Sequence, residues 1–419
     1  MASMKRINLI NGISDEEIDN TISLLEKYFH FNTKESLVKD KYFKTDSIST
    51  IELYILASSI LDCDKKNHNW LERHIKIIEG NNINNARGSL WEIIFAGILL
   101  QSGLNVTLEK DSNPGIDISA IIRNNKINFS LKRFDKSTKV NELEKLFEEI
   151  EDITKVSAFP MTGIDILLPK FPASDTKEKI KASINTLVQD NTSKSQIIQN
   201  EKYLIKFNNN INQFPEIDIF KELKSYKLLL VSELHENEKK NLYSKINEAI
   251  DNLIKFKKGG LNILAIHINS TAPIDALEKY VKNYYESHKE TEIDGVLFYQ
   301  PTMCVNKSIY GITHVFRYIS NVNRDVKLSG SIPVFQVVTG NVSIHSQAPV
   351  INIGENKTIK LPEKYFLQKG LIYQNTIPKE QYSLGKIGNN LTVVPVIKQN
   401  EKLIGIVPKL LEKDELILI

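Results

Sequence analysis

Apolar residues return every three or four positions through the first eighty residues, which predicts a run of helices. In "EIDNTISLLEKYF" (17–29) they are Ile18, Ile22, Leu25 and Phe29, and Ser14 with Glu17 forms a capping box at the start. "SISTIELYILASSILD" (47–62) and "NWLERHIKIIEG" (69–80) keep the period, with Gly80 as the C-terminal cap. His68 and His74 read there as exposed or capping residues. "NNARGSLWEIIFAGILLQSG" (84–103) predicts a strongly apolar helix stopping at Gly103.

The period then shortens to two. "LNVTLEK" (104–110) and "GIDISAIIRNNKINFSLKRF" (115–134) predict three strands, the last two joined by the turn Asn124-Asn125-Lys126. In the third strand Ile127, Phe129 and Leu131 alternate with Asn128, Ser130 and Lys132, so one face is apolar and the other polar. A charged helix at 139–156 and a strand at 163–171 follow, completing a helix, three strands, a helix and a strand. Further on, "LNILAIHINS" (261–270), a helix at 273–290 and "IDGVLFYQP" (293–301) predict a strand–helix–strand crossover with buried strands, a possible extension of the same sheet. Beyond residue 325 the helical period fades into short strands punctuated by Pro and Gly. The expected divisions are a helical segment at 4–82, an α/β domain at 83–300 (core 84–170, sheet extension 200–300) and a β-rich module at 325–419.

Composition narrows the class without naming it. The chain has 419 residues, 41% hydrophobic and 25% charged, and a formal net charge of +3, which excludes a strongly basic nucleic-acid-binding tail. Two cysteines, Cys63 and Cys304, build no disulfide framework, so a reducing cytoplasm is the expected compartment. No stretch reaches the ~18 apolar residues of a membrane span, and Met1-Ala2-Ser3 reads as a leader ahead of Met4. Phosphate-loop, HExxH, GxSxG and paired CxxC motifs are absent. His267, in an apolar strand, reads as a core histidine.

Candidate chemistry gathers around the hairpin. Asp117 begins its strand just after Pro114-Gly115, Lys132 lies on the polar face of the next strand, and Glu92 is a lone carboxylate in an apolar helix. These residues, with Ser130-Leu131-Lys132 and the order of elements, resemble the core of the PD-(D/E)XK nuclease superfamily. The resemblance covers residues 84–170, and Ser130 stands where that motif usually has an acidic residue. It implies an α/β fold with a restriction-endonuclease-like mixed sheet flanked by helices. It also implies Mg²⁺ (or Mn²⁺) held by Asp117 with Glu92 or the Leu131 carbonyl, and Lys132 as the catalytic amine. Arg87, Arg133 and Lys136 are candidates for gripping flanking phosphates. The implied activity is hydrolysis of DNA phosphodiesters, in restriction or anti-phage defence, by a homodimer or with a partner protein. A ribonuclease or toxin using the same site on RNA, and a non-catalytic binding or assembly subunit, stay open as alternatives.

Overall fold

The computed structural model describes residues 10, 12–31, 36–44, 47–109, 115–122, 124–135, 138–156, 161–190, 195–209, 225–233, 235–256, 259–269, 272, 274–306, 309–324, 336–340, 350–354, 357–360, 366–369, 372–375, 381–389, 391–398, 401–408 and 416–419. In chain order the helices are α1 (Asp15–Ser23), α2 (Leu37–Tyr42), α3 (Ser47–Lys66), α4 (His68–Ile78), α5 (Ile83–Gln101), α6 (Thr138–Lys155), α7 (Ser174–Gln189), α8 (Glu236–Lys255) and α9 (Ile274–Ser287). The strands used below are β1 (Asn105–Leu108), β2 (Ile118–Ile122), β3 (Asn125–Phe134), β4 (Met161–Leu168), β5 (Gln196–Gln199), β6 (Leu204–Asn209), β7 (Ser225–Glu233), β8 (Leu261–Ile268), β9 (Gly295–Asn306), β10 (Ile309–Ser320) and β11 (Gln336–Gly340).

Side-chain caps fix the helix starts where the sequence places small polar residues. Ser14, Asn67 and Asn82 accept backbone N–H bonds at the heads of α1, α4 and α5. At the far end of α5, Gly103 has φ +73°, a left-handed conformation that lets the chain turn directly into β1. Gly80 does not play that part: α4 closes on Glu79, in a right-handed conformation.

The chain divides into two compact units, residues 1–135, 240–345 and 414–419 in the first and 136–239 and 346–413 in the second. The first unit is built on a mixed sheet of order β1-β2-β3-β8-β9-β10-β11. β1, β2 and β3 form an antiparallel meander, turning at Asn124 with φ +65°, an angle that Asn tolerates better than most residues. β3, β8 and β9 run parallel, and β10 returns antiparallel to β9. The crossover predicted from 261 to 301 is therefore present as β8–α9–β9, and it does extend the sheet of the hairpin.

One face of this sheet, carrying Ile127, Phe129, Ile263, Ala265 and Tyr299, shares a single apolar core with α1, α3, α4 and α5. Phe95 of α5 meets Phe129 edge-on at 5.1 Å, and Trp91 stacks on Tyr299 at 4.8 Å. The N-terminal helices thus lose their expected independence: their apolar stripes have no other surface to bury against. On the opposite face Lys245 of α8 lies over the Phe134 ring at 5.7 Å, and Glu278 of α9 pairs with Arg317 of β10 at 2.8 Å. Helices therefore flank both sides of the sheet.

The second unit has its own sheet. β4 lies between β6, antiparallel, and β7, parallel, with β5 beyond β6 and the strand Gln381–Asn389 beyond β7. Its core joins Leu143, Phe147 and Ile150 of α6 and Ile180 and Ile184 of α7 to Ile164, Ile166, Phe207 and Leu228. Here the structure corrects the sequence reading. The strand at 163–171, expected beside the hairpin, belongs to this second sheet, and the strand beside β3 is β8. Both are short apolar runs, and nothing in such a run encodes which neighbour it pairs with.

The division also cuts across the expected C-terminal module. β11 joins the first sheet, Gln381–Asn389 the second, and Leu418 and Ile419 lie in the core of the first unit with Leu416 packed against it.

Candidate active site at the β2–β3 hairpin

Asp117 is placed by a turn that only glycine fits. Gly115 has φ +82°, and a Cβ there would come within 2.3 Å of the Phe256 Cβ. Leaving this turn, Asp117 donates its N–H to the Phe129 carbonyl (2.9 Å), and its Oδ2 accepts the Leu131 N–H at 2.6 Å. The carboxylate thus continues the ladder to β3 beyond the end of β2. Burial pushes its pKa up, and the Leu131 N–H and the charge of Lys132 pull in the other direction. Asp117 and Lys132 are therefore brought into each other's field, as the sequence predicts. Leu131 supplies the backbone between them, and its carbonyl leaves the strand on the same side as its N–H, toward Asp117.

The polar face of β3 differs from the expectation. Asn128 and Ser130 are buried, between an exposed Lys126 and a half-exposed Lys132. Buried polar groups need partners, and a ladder across three strands supplies them. The Ser119 hydroxyl lies 2.8 Å from Glu109 Oε1 and 3.0 Å from Asn128 Oδ1. Asn128 donates to Gly259 O (3.1 Å) and Asn262 Oδ1 (3.3 Å), and Asn262 N–H donates to Asp294 (2.7 Å). Ser119, Asn128 and Asn262 are paired neighbours in the register of β2, β3 and β8. Sequence reasoning singled out neither Glu109 nor Asn262. The period-2 polar positions of β1 and β8 were the available signal, but they acquire meaning only once the register is known.

Glu92 stands apart from this group. Its helix packs on the Phe129 face through Trp91 and Phe95, and its carboxylate pairs with His74 Nε2 at 3.5 Å. His74 is itself buried against Trp70, not exposed; His68 is exposed and bound to Asp64 at 2.6 Å. Arg133, one residue past Lys132, points to the opposite face and is buried. It bonds the Arg87 carbonyl (3.4 Å) and the Ile417 carbonyl (3.2 Å), and both arginines pair with Asp135, at 3.2 and 3.4 Å. Burial brings the Arg133 pKa down to about 10 against the pull of Asp135. Such a side chain holds the fold together and does not reach for phosphate. Lys136 lies outside the described residues.

Among the described residues no three His, Cys, Asp or Glu side chains converge as a metal group. Asp117 has Glu109 opposite it, where the Glu109 N–H reaches the Asp117 carbonyl at 3.2 Å. Mg²⁺ and Mn²⁺ are hard cations satisfied by one or two carboxylates, a carbonyl and water. The oxygen chemistry of Asp117, Leu131 and Glu109 fits them, whereas Glu92 does not belong to the set. His267 is a core histidine as predicted, held neutral by burial and by the nearby Arg133 charge. Cys63 is a buried free thiol, its pKa pushed up by burial. Among the described residues no helix is long and apolar enough to cross a membrane. No protein-family model matches the chain, and no curated protein matches it.

Proposed function

We propose that the first unit is a metal-dependent nuclease module of the PD-(D/E)XK kind that hydrolyses phosphodiester bonds of DNA. The observation that carries this reading is the Asp117 carboxylate, seated on the Leu131 N–H and held in the field of Lys132. A half-buried carboxylate beside an amine costs stability, and proteins retain such arrangements chiefly where chemistry needs them. Support also comes from the order of elements: α5, β1, β2 and β3, then helix α8 and the parallel strand β8, with the second unit inserted between β3 and α8. This is the helix–strand–strand–strand–helix–strand order of the family, with β8 in the place first expected for 163–171.

In this reading Asp117 and the Leu131 carbonyl hold the Mg²⁺ or Mn²⁺, with Glu109 as the nearest further carboxylate. The ion, when bound, polarises the phosphate and lowers the pKa of a water. Lys132 places a positive charge where negative charge develops on phosphorus, and it is fixed there by the ladder to β8. Asp117 must be ionised to act, and the Leu131 N–H and Lys132 favour that state against burial. Restriction or anti-phage defence in the cytoplasm, as a homodimer or with a partner protein, is the setting the resemblance implies.

A second reading, a non-catalytic binding or assembly subunit, draws on Ser130, buried at the position where the family usually has an acid. One experiment separates them. The full chain is incubated with duplex DNA, single-stranded DNA and RNA in Mg²⁺ or Mn²⁺, beside Asp117→Asn and Lys132→Met. Cleavage of DNA that falls by about a hundredfold or more in each folded variant is the expected result. RNA as the preferred polymer would transfer the same site to the ribonuclease reading. Undiminished cleavage in both variants, or a wild-type chain that neither cuts nor binds the metals, refutes the nuclease reading.

A further inference from the structure

Two charged groups deep in the first unit take no part in the hairpin site, and both hold the same short segment. Glu52 of α3 is fully buried and pairs with Lys41 of α2, equally buried, at 2.8 Å. Its Oε1 also accepts the Leu418 N–H at 3.0 Å, from a residue 366 positions away. Arg133 donates to the Ile417 carbonyl at 3.2 Å. Leu418 and Ile419 are 0% and 1% exposed, in the core that holds Trp91 and Phe129. His267 is paired with Arg133 in the register of β3 and β8, is buried, and engages the Ile419 backbone.

This is how a protein reads an extended peptide: the main chain is gripped by fixed polar groups and the side chains fill apolar sockets. The grip is built without the segment. Lys41 positions Glu52, and Asp135 with the Arg87 carbonyl positions Arg133. A seat organised in advance survives removal of its ligand and loses little entropy when the ligand returns. Leu416–Ile419, for their part, belong to no helix or strand, and the chain reaches them from the second unit, which extends to residue 413.

We propose that the first unit contains a peptide-binding site, formed around Glu52 and Arg133, whose ligand is the chain's own segment Leu416–Ile419 held as a reversible latch. Release of the latch opens the Lys41–Glu52 pair and the apolar socket to solvent, and redocking closes them.

The test uses the full chain carrying Leu418→Asp, which empties the seat, and a fluorescein-labelled peptide of residues 411–419. The expected result is saturable binding of the peptide to this variant. Uptake by the wild-type chain, whose seat is filled, and by the variant of a peptide carrying the same Leu418→Asp change should each be weaker by roughly tenfold or more. A folded Leu418→Asp chain that takes up no peptide, or takes up both peptides equally, overturns the proposal. Should that variant fail to fold, hydrogen exchange on the wild-type chain decides. Exchange of the Leu418 amide through a local opening, faster than the amides of β3 and β8, upholds the latch. Exchange only with global unfolding makes the segment an ordinary part of the core and refutes it.

Discussion

Replacing Asp117 tests whether its carboxylate is held for structure or for chemistry. The group makes one short bond, to the Leu131 N–H at 2.6 Å, and burial raises its pKa. Asp117→Ala removes the acceptor and leaves a strand N–H without a partner in a mostly dry place, at a cost of about 1–3 kcal/mol. Asp117→Asn keeps an oxygen for that N–H and removes the half-buried charge, so its stability should stay within about 1 kcal/mol of wild type. The pH dependence has a definite sign. A folded-state pKa above the unfolded value means that the native chain keeps its proton longer than the unfolded chain. Stability from this group is full below the ordinary aspartate range and is lost as pH rises through the raised folded value. The Asn variant has no such loss, so it should gain on wild type as pH rises above 3.8. Urea unfolding followed by tryptophan fluorescence measures this, because both tryptophans, Trp70 and Trp91, lie buried in the first unit. Equal losses in Ala and Asn would show that the Leu131 bond needs a charged acceptor. A wild-type chain that gains on Asn with rising pH would show that Lys132 and Leu131 outweigh burial. Either result would refute the argument.

Two further outcomes are expected from the packing of the first unit. His314 is buried with its Nδ1 2.8 Å from the Tyr299 hydroxyl, and burial lowers its pKa to about 4, so the unfolded chain takes up a proton that the native chain refuses. Stability should therefore fall from pH 6.5 toward pH 4 by roughly 3 kcal/mol from this residue alone, and urea titrations of His314→Gln should show a shallower acid limb; an unchanged limb contradicts this. Gly97→Ala in α5 would set a Cβ 2.3 Å from Ser59 Oγ and 2.8 Å from Ser59 Cα on α3, and should cost about 1–3 kcal/mol. Gly88→Ala in the same helix has nothing within 4 Å, and should be neutral or stabilising; equal melting temperatures for the two variants would show that the helices part without cost.

Local elements were legible because local physics sets them. The helical period marked α3, α4 and α5, and the Ser14–Glu17 capping box marked where α1 begins. Asn124 and Gly115 were readable as turns since few other residues adopt their backbone angles. The nearness of Asp117 and Lys132 was legible for a related reason: a short hairpin leaves the two strands little freedom of register.

Other features needed partners distant in sequence. An apolar strand does not state its neighbour, so β8 takes the place beside β3 that was expected of β4, and β4 pairs in the second sheet. The burial of the polar stripe of β3 was not legible because its partners, Ser119 and Asn262, come from two other strands. Glu92 and Arg133 look like functional charges in sequence, and only the fold supplies His74, Asp135 and the Ile417 carbonyl that engage them. The sequence by itself determined the elements, their caps and the hairpin that joins Asp117 to Lys132, because these depend on residues close along the chain. The tertiary structure alone decided which strands share a sheet, which charges are buried in pairs and where Leu416–Ile419 lie, because those energies exist only between segments that folding brings together.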